Sequence, residues 1–280
     1  DGSSVARASQ LMSSVTARPE QLTLTATDKA LNFALSLTEA VDTRADTVVD
    51  VENVATLARI VSNLVLASSG HHKTADGAVM STTSTNGSVR AATVSKIVDA
   101  IGSSLARDCV PGEPERTLVT PSFALHITVK AGHDFDKTTI GNGRVTVPVL
   151  PAAVGTGAAA KVTTWVDAGP LMWAVDQTGE SNATLSSPLL SVKFARPNGS
   201  EIKISDLPEP FTIVLDVDTS DNSTLSNSGH DFSCAYWNTN MSQFVSDGVL
   251  AARTETNVTC QFNHLTDFGA LFGPSNELGT

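Results

Sequence analysis

Apolar positions change their period once along the chain. Up to about residue 110 they recur every three or four residues. Ser3 to Thr16 is a modest amphipathic stretch that stops before Pro19. From Asp28 to Val41, the residues Ala30, Leu31, Ala34, Leu35 and Leu37 share one helical face, with Thr27 or Asp28 as cap. Val51 to Leu66 repeats the pattern through Val51, Val54, Leu57, Ala58, Val61, Leu64 and Val65, behind Asp50 as cap. Gly70 to Gly87 is polar and reads as a loop. Val89 to Leu105 carries Val94, Ile97, Val98, Ile101 and Leu105 on one side. Such stripes predict packing between helices, not ligand sites.

Cys109-Val-Pro-Gly-Glu-Pro breaks this pattern, because Pro and Gly end helices. After it the period is two. Leu125–Lys130, Arg144–Pro148, Val162–Val166, Leu189–Phe194, Glu201–Ser205 and Phe211–Asp216 all alternate, with turn residues between them. Many short strands predict a sandwich. The expected class is α+β: a helical part over residues 1–112, then an antiparallel β-sandwich over 113–280.

Composition narrows the partners. The chain has 280 residues, enough for an ample core, and 41% of them are hydrophobic. A net charge of −11 argues against nucleic acid. No apolar run is long enough to span a bilayer. The start, Asp1-Gly2-Ser3, has neither a charged n-region nor an apolar h-region and reads as mature or excised. Six Asn-x-Ser/Thr sequons stand at Asn86, Asn182, Asn198, Asn222, Asn240 and Asn257. The three cysteines, Cys109, Cys234 and Cys260, form no Cys-x-x-Cys pair that suggests zinc.

Most candidate chemistry is bland. His71-His72 lies in a polar stretch without the neighbours a metal needs. Asp216-Val-Asp-Thr-Ser-Asp-Asn222 lacks the Gly and Glu of a calcium loop and reads as an acidic hairpin tip. Gly-x-Ser-x-Gly, Walker and His-Glu-x-x-His motifs are absent. No metal or cofactor is expected.

One stretch differs: Cys260-Gln-Phe-Asn-His-Leu-Thr-Asp-Phe268, followed by an apolar run to Phe272. His264 precedes Thr266 by two residues, and the threonine follows the Leu265 carbonyl. A base, a nucleophile and an electrophile share three residues, and a neighbouring base is a standard way to activate a hydroxyl. By itself His-Leu-Thr also describes an ordinary strand. Its frame is more specific: Cys234, Trp237, Gly248, Cys260, the His264-Leu265-Thr266 triplet and Phe268 follow in order.

This frame resembles the GPS motif that closes GAIN domains, here over about 234–272. Two cysteines of the family pattern are missing, with Val249 and Phe262 in their places. The resemblance pairs those two positions with each other, so their joint absence is coherent. Ser187-Pro-Leu-Leu-Ser191 and Leu207-Pro-Glu-Pro-Phe211 are similar to two further GAIN strands, although Phe211 replaces a small aliphatic residue. The helical half matches subdomain A of the family by architecture only. Gly269 after Phe268 looks more like polycystin-type parents than adhesion receptors, which usually carry Ala there.

The resemblance implies a single-turnover cut in cis between Leu265 and Thr266. His264 would be base and Thr266 nucleophile, through an N-to-O acyl shift and ester hydrolysis. It implies a Cys234–Cys260 disulfide, worth about 3 kcal/mol in the chain-entropy model, and Cys109 outside it. Trp237, Gly248 and Phe268 would be structural. It places the chain in a glycosylated ectodomain on the extracellular side of a membrane protein. The implied partners are the fragment from Thr266 onward, held non-covalently and able to act as a tethered agonist, a following transmembrane region and an extracellular ligand. The rival is a non-cleaving adhesion or spacer module of the same fold.

Overall fold

The computed structural model describes residues 2–42, 51–71, 85–151, 154, 157–166, 184–217, 230–238 and 243–274. The expected features at Asp50, His72, Asn182, Asn222 and Asn240, and the acidic tip beyond Val217, lie outside these residues. The chain divides into two compact units. One holds the helices with Leu118–Ala124; the other holds the remaining described strands.

The helical unit contains α1 (Gly2–Thr16), α2 (Leu24–Asp42), α3 (Val51–His71) and α4 (Thr85–Arg107). Its apolar stripes meet in a core of Leu31, Leu57, Ile60, Leu64, Ile97 and Ile101, all fully buried. Each side chain contributes roughly 1.5–3 kcal/mol by leaving water. Two sequence expectations need correction. Helix α2 starts four residues before Asp28, because the Thr23 hydroxyl accepts from Ala26 N (3.2 Å) and caps the helix there. Thr27 and Asp28 are inside it. Asp28 instead pairs with the buried Arg90 of α4. The polar stretch between α3 and α4 is also shorter than Gly70–Gly87: α3 continues to His71 and α4 begins at Thr85. The Asn86 sequon is therefore in the first turn of a helix. No described helix is long and apolar enough to cross a membrane.

The second unit is antiparallel. Its strands, with their continuation into Leu118–Ala124, are β1 (Arg116–Val119), β2 (Phe123–Lys130), β3 (Thr139–Ile140), β4 (Val145–Thr146), β5 (Ala158–Trp165), β6 (Thr184–Leu185), β7 (Leu190–Ala195), β8 (Glu201–Ile202), β9 (Phe211–Asp216), β10 (His230–Asn238), β11 (Gln243–Arg253), β12 (Asn257–Phe262) and β13 (Asp267–Pro274). The order is β1-β2-β5-β7-β13-β10-β11-β12-β9-β4-β3, with β6 beside β13 and β8 beside β7. β4 is shorter than its alternating pattern, and Val147 beyond it donates to Thr138 O and accepts from Lys137 N.

This ladder is continuous, yet it encloses one core. Phe194 of β7, Phe211 of β9, Phe232 of β10, Phe262 of β12 and Phe268 of β13 belong to a single cluster. Register shifts at Cys234/Tyr236 in β10 and Leu250/Ala252 in β11 mark bulges, which bend and twist strands. Glu115 fastens the segment after the Cys109 break. Its carboxylate accepts from Gly141 N (2.7 Å) and Asn142 N (3.0 Å), where the chain takes positive φ, and from the Thr128 hydroxyl (3.0 Å). His126 Nδ1 stands 3.0 Å from the same carboxylate.

β13 lies in the middle of the order. It pairs with β10 over seven positions, from Tyr236↔Phe268 to His230↔Pro274. Its other edge meets β7 at Phe268↔Leu190 and β6 at Leu271↔Leu185. Phe268, Ala270 and Phe272 face the main core, while Leu271 points the other way, against Ala235. Successive side chains of a strand alternate in this manner.

Candidate functional site

The turn Asn263–Thr266 joins β12 to β13. Backbone bonds hold it from two directions. Leu265 N donates to Ile204 O (3.1 Å), and Leu207 N donates to Asn263 O (3.1 Å). The 204–207 segment reverses at Asp206, whose φ is 56°. From the other direction Val192 N donates to Thr266 O (3.2 Å). The peptide groups on either side of Leu265–Thr266 are thus bonded, one to the segment before β9 and the other to strand β7.

His264 is half-buried in an aromatic surround. Its ring meets Tyr236 edge-on at 4.5 Å, and the Phe262 and Phe268 rings stand at 6.1 and 6.2 Å. Nδ1 lies 3.2 Å from Asn263 Oδ1. Nε2 is buried and makes no hydrogen bond. Burial pushes the His264 pKa below its ordinary value of 6.5, and the charges of Asp247 and then Asp206 oppose that shift. The imidazole is therefore neutral at pH 7 and able to accept a proton.

The Thr266 hydroxyl has a different partner. It donates to the Trp237 carbonyl at 3.2 Å, not to the unpartnered Nε2. Trp237 thus contributes its backbone oxygen, while its ring packs edge-on against Phe244 at 5.3 Å. The structure gathers His264, Leu265 and Thr266 in one turn, but His264 Nε2 and the Thr266 hydroxyl are not hydrogen-bonded.

The neighbouring framework is tight. Cys234 and Cys260 form a disulfide that joins β10 to β12 across 26 residues of chain. In the chain-entropy model a loop of that length is worth about 3.5 kcal/mol, somewhat above the expected ~3 kcal/mol. Gly248 sits opposite Cys234, and a Cβ there would collide with the Phe262 ring. Cys109 is outside the disulfide and its thiol donates to Leu105 O (3.2 Å). Among the described residues no three His, Cys, Asp or Glu side chains converge as metal ligands.

Comparison with known proteins now bears on this arrangement. A family profile described as GPS: GAIN subdomain B matches residues 128–276, more than half of the chain. The chain belongs to the GAIN subdomain B family. No curated protein matches it. Among solved structures it is similar to the full extracellular region of zebrafish Gpr126/Adgrg6, at 15% identity and a TM-score of 0.56. That match covers 91% of this chain and 33% of the zebrafish chain, so this chain spans about a third of that ectodomain. At such identity the likeness is one of fold.

Within this GAIN fold, the two replaced cysteine positions are not equivalent. Val249 is 62% exposed, whereas Phe262 is buried over Gly248. Of the expected sequons, Asn198 lies in an exposed turn and accepts from Ser200 N and its hydroxyl. Asn257 opens β12 half-buried, and its side-chain oxygen accepts from the Thr254 hydroxyl (2.9 Å). Three contributors to the site carry no plain sequence signal: the Ile204 and Leu207 backbone groups and the Trp237 carbonyl. Asn263 and Tyr236 were legible as neighbours of the motif but not as contacts of His264.

Proposed function

We propose that this GAIN domain cuts its own chain between Leu265 and Thr266. The carrying observation is the His264 ring: neutral by burial, with an unpartnered Nε2, in the turn that bears the target peptide. Nε2 takes the Thr266 hydroxyl proton once that side chain leaves Trp237 O. The oxygen attacks the Leu265 carbonyl carbon, the C–N bond breaks, and the proton passes from His264 to the freed Thr266 amine. The resulting ester is hydrolysed by water to a Leu265 carboxylate and the Thr266 hydroxyl. Backbone bonds on both sides of the turn supply the orientation that a poor nucleophile requires.

On this reading residues 1–112 serve as the helical subdomain, and 113–280 as subdomain B. The chain is part of a glycosylated ectodomain, with a membrane-embedded remainder beyond it. The fragment from Thr266 stays in the sheet as a central strand, and serves as a tethered agonist on release. Gly269 fits a polycystin-type parent. A Cβ there would stand 2.5 Å from Leu185 Cδ1, so the Ala of adhesion receptors needs Leu185 to shift.

Intact mass of the deglycosylated, denatured protein is the test. The parent should give two fragments, the shorter beginning at Thr266. Thr266→Ala should give one chain, and Thr266→Ser should still be cut. His264→Ala should slow the cut by roughly 10²–10⁴-fold. Equal cutting of Thr266→Ala and parent sinks the proposal. The rival, a non-cleaving juxtamembrane module, is favoured by the Thr266–Trp237 bond, and a parent that stays whole would select it.

A further inference from the structure

We propose that Asn263 is a positioning residue that sets the tautomer of His264, and so decides which ring nitrogen acts as base. The inference rests on the self-cutting reading above and adds a residue to it. A neutral imidazole has one N–H and one lone pair, and the partner of one nitrogen decides the role of the other. Asn263 Oδ1 can only accept. At 3.2 Å from Nδ1 it therefore holds the proton on Nδ1. Nε2 is left with its lone pair, buried and without any hydrogen bond.

The side chain is well placed for this task. Asn263 is exposed, but its backbone is not free: its carbonyl accepts from Leu207 N at 3.1 Å. That bond ties it to the 204–207 segment, which also binds Leu265 N through Ile204 O. The residue that carries the acceptor for Nδ1 and the peptide just before the target are thus bonded to the same four residues. The edge-on Tyr236 ring limits rotation of the imidazole. Without the Asn263 oxygen, the proton is free to move to Nε2, and that tautomer cannot accept from Thr266. This is the logic of a base oriented by a third group.

The charged groups facing His264 are Asp247 of β11 and Asp206 of the turn before β9. Both act on the total charge of the ring and neither is bonded to Nδ1, so the choice between tautomers falls to Asn263.

Two measurements test this. In the uncut Thr266→Ala protein, ¹⁵N spectra of labelled histidine should show His264 with Nδ1 protonated and Nε2 bare at neutral pH. Adding Asn263→Ala should move population toward protonated Nε2, while Asn263→Asp, which keeps an acceptor, should restore the Nδ1–H form. Second, timed gels of freshly synthesised precursor should show Asn263→Ala cutting roughly two- to tenfold more slowly than the parent, the loss of one neutral hydrogen bond. Asn263→Asp should recover the rate at neutral pH, with its acid limb moved to higher pH by the added charge. Melting curves of each variant exclude simple unfolding. Parental rate and an unchanged tautomer in Asn263→Ala overturn this inference alone. A parent that never cuts overturns the self-cutting reading and this residue's role together.

Discussion

The turn Asn263–Thr266 and the strand that follows it obey opposite rules. The turn is exposed or half-buried throughout, and its side chains carry partial hydrogen bonding. Nε2 of His264 has no partner, and the Thr266 hydroxyl is engaged with the Trp237 carbonyl. Two residues later, Phe268 is fully buried, paired on both edges and packed at 4.4 Å from the Phe262 ring. The difference separates two tasks along one short stretch. Unfinished bonding leaves room for a chemical step. On the proposed reading, completed bonding retains the product of that step.

The comparison breaks most sharply at Phe268. Phe268→Ala removes a core ring and should cost about 3–5 kcal/mol of stability. On the proposed reading the short fragment then leaves the domain more readily, while the turn keeps its own chemistry. Denaturant titration gives the first quantity, and native size-exclusion of both fragments gives the second. Full retention with parental stability would show that the strand is held chiefly by its backbone pairing.

The disulfide sharpens the contrast from the other side of the turn. It braces β12, which enters the turn, and leaves β13 uncrosslinked. Replacing both cysteines by serine should cost about 3.5 kcal/mol. Cutting should fall further than stability alone explains, because β12 no longer holds Asn263 and His264 in register. Non-reducing gels, melts and cutting rates of the double variant distinguish the two effects. A stable variant with parental cutting would confine the disulfide to stability.

Much of this arrangement was legible in the chain. The helical stripes gave α1 to α4, because each buried face needs its own period. Their ends were less clear. Thr23 caps α2 from within a run of four threonines and leucines, where Thr27 looked equally able. Gly87 looked like loop, yet it is buried inside α4. In the sheet, alternation identified β2, β5, β7 and β9, but β4 and β8 shrank to two residues each, and β10, β11 and β12 were not among the alternating segments. At the site, the spacing of His264, Leu265 and Thr266 located the turn. The carbonyl of Trp237 and the amide of Leu207 remained hidden, because any residue type supplies the same backbone groups. Phe262 shows the same limit: its place over Gly248 follows from packing, not from its position in the motif.

The smallest expected effect is electrostatic. Burial lowers the His264 pKa, while Asp247 and Asp206 pull it back toward 6.5. Folded His264 therefore binds its proton less readily than in the unfolded chain. The stability contribution linked to this depression is fully present above pH 6.5 and falls as pH drops from 6.5 toward the folded value. The base obeys the same order: cutting should be full when His264 is neutral and decline once it is protonated. Asp247→Asn removes the larger of the two opposing charges. It should lower the His264 pKa further and move the acid limb of cutting to lower pH. Because Asp247 is exposed on β11, the shift should be slight and shrink in high salt. Rates at neutral pH should not change, since the ring is already neutral there. Phe268→Ala offers the counterpart: a loss of stability at every pH and, because its ring helps to bury His264 from 6.2 Å, a shift of the limb upward, opposite to that of Asp247→Asn. Should Asp247→Asn move the limb upward, or Phe268→Ala move it downward, charge and burial would not act on His264 in the opposed senses described.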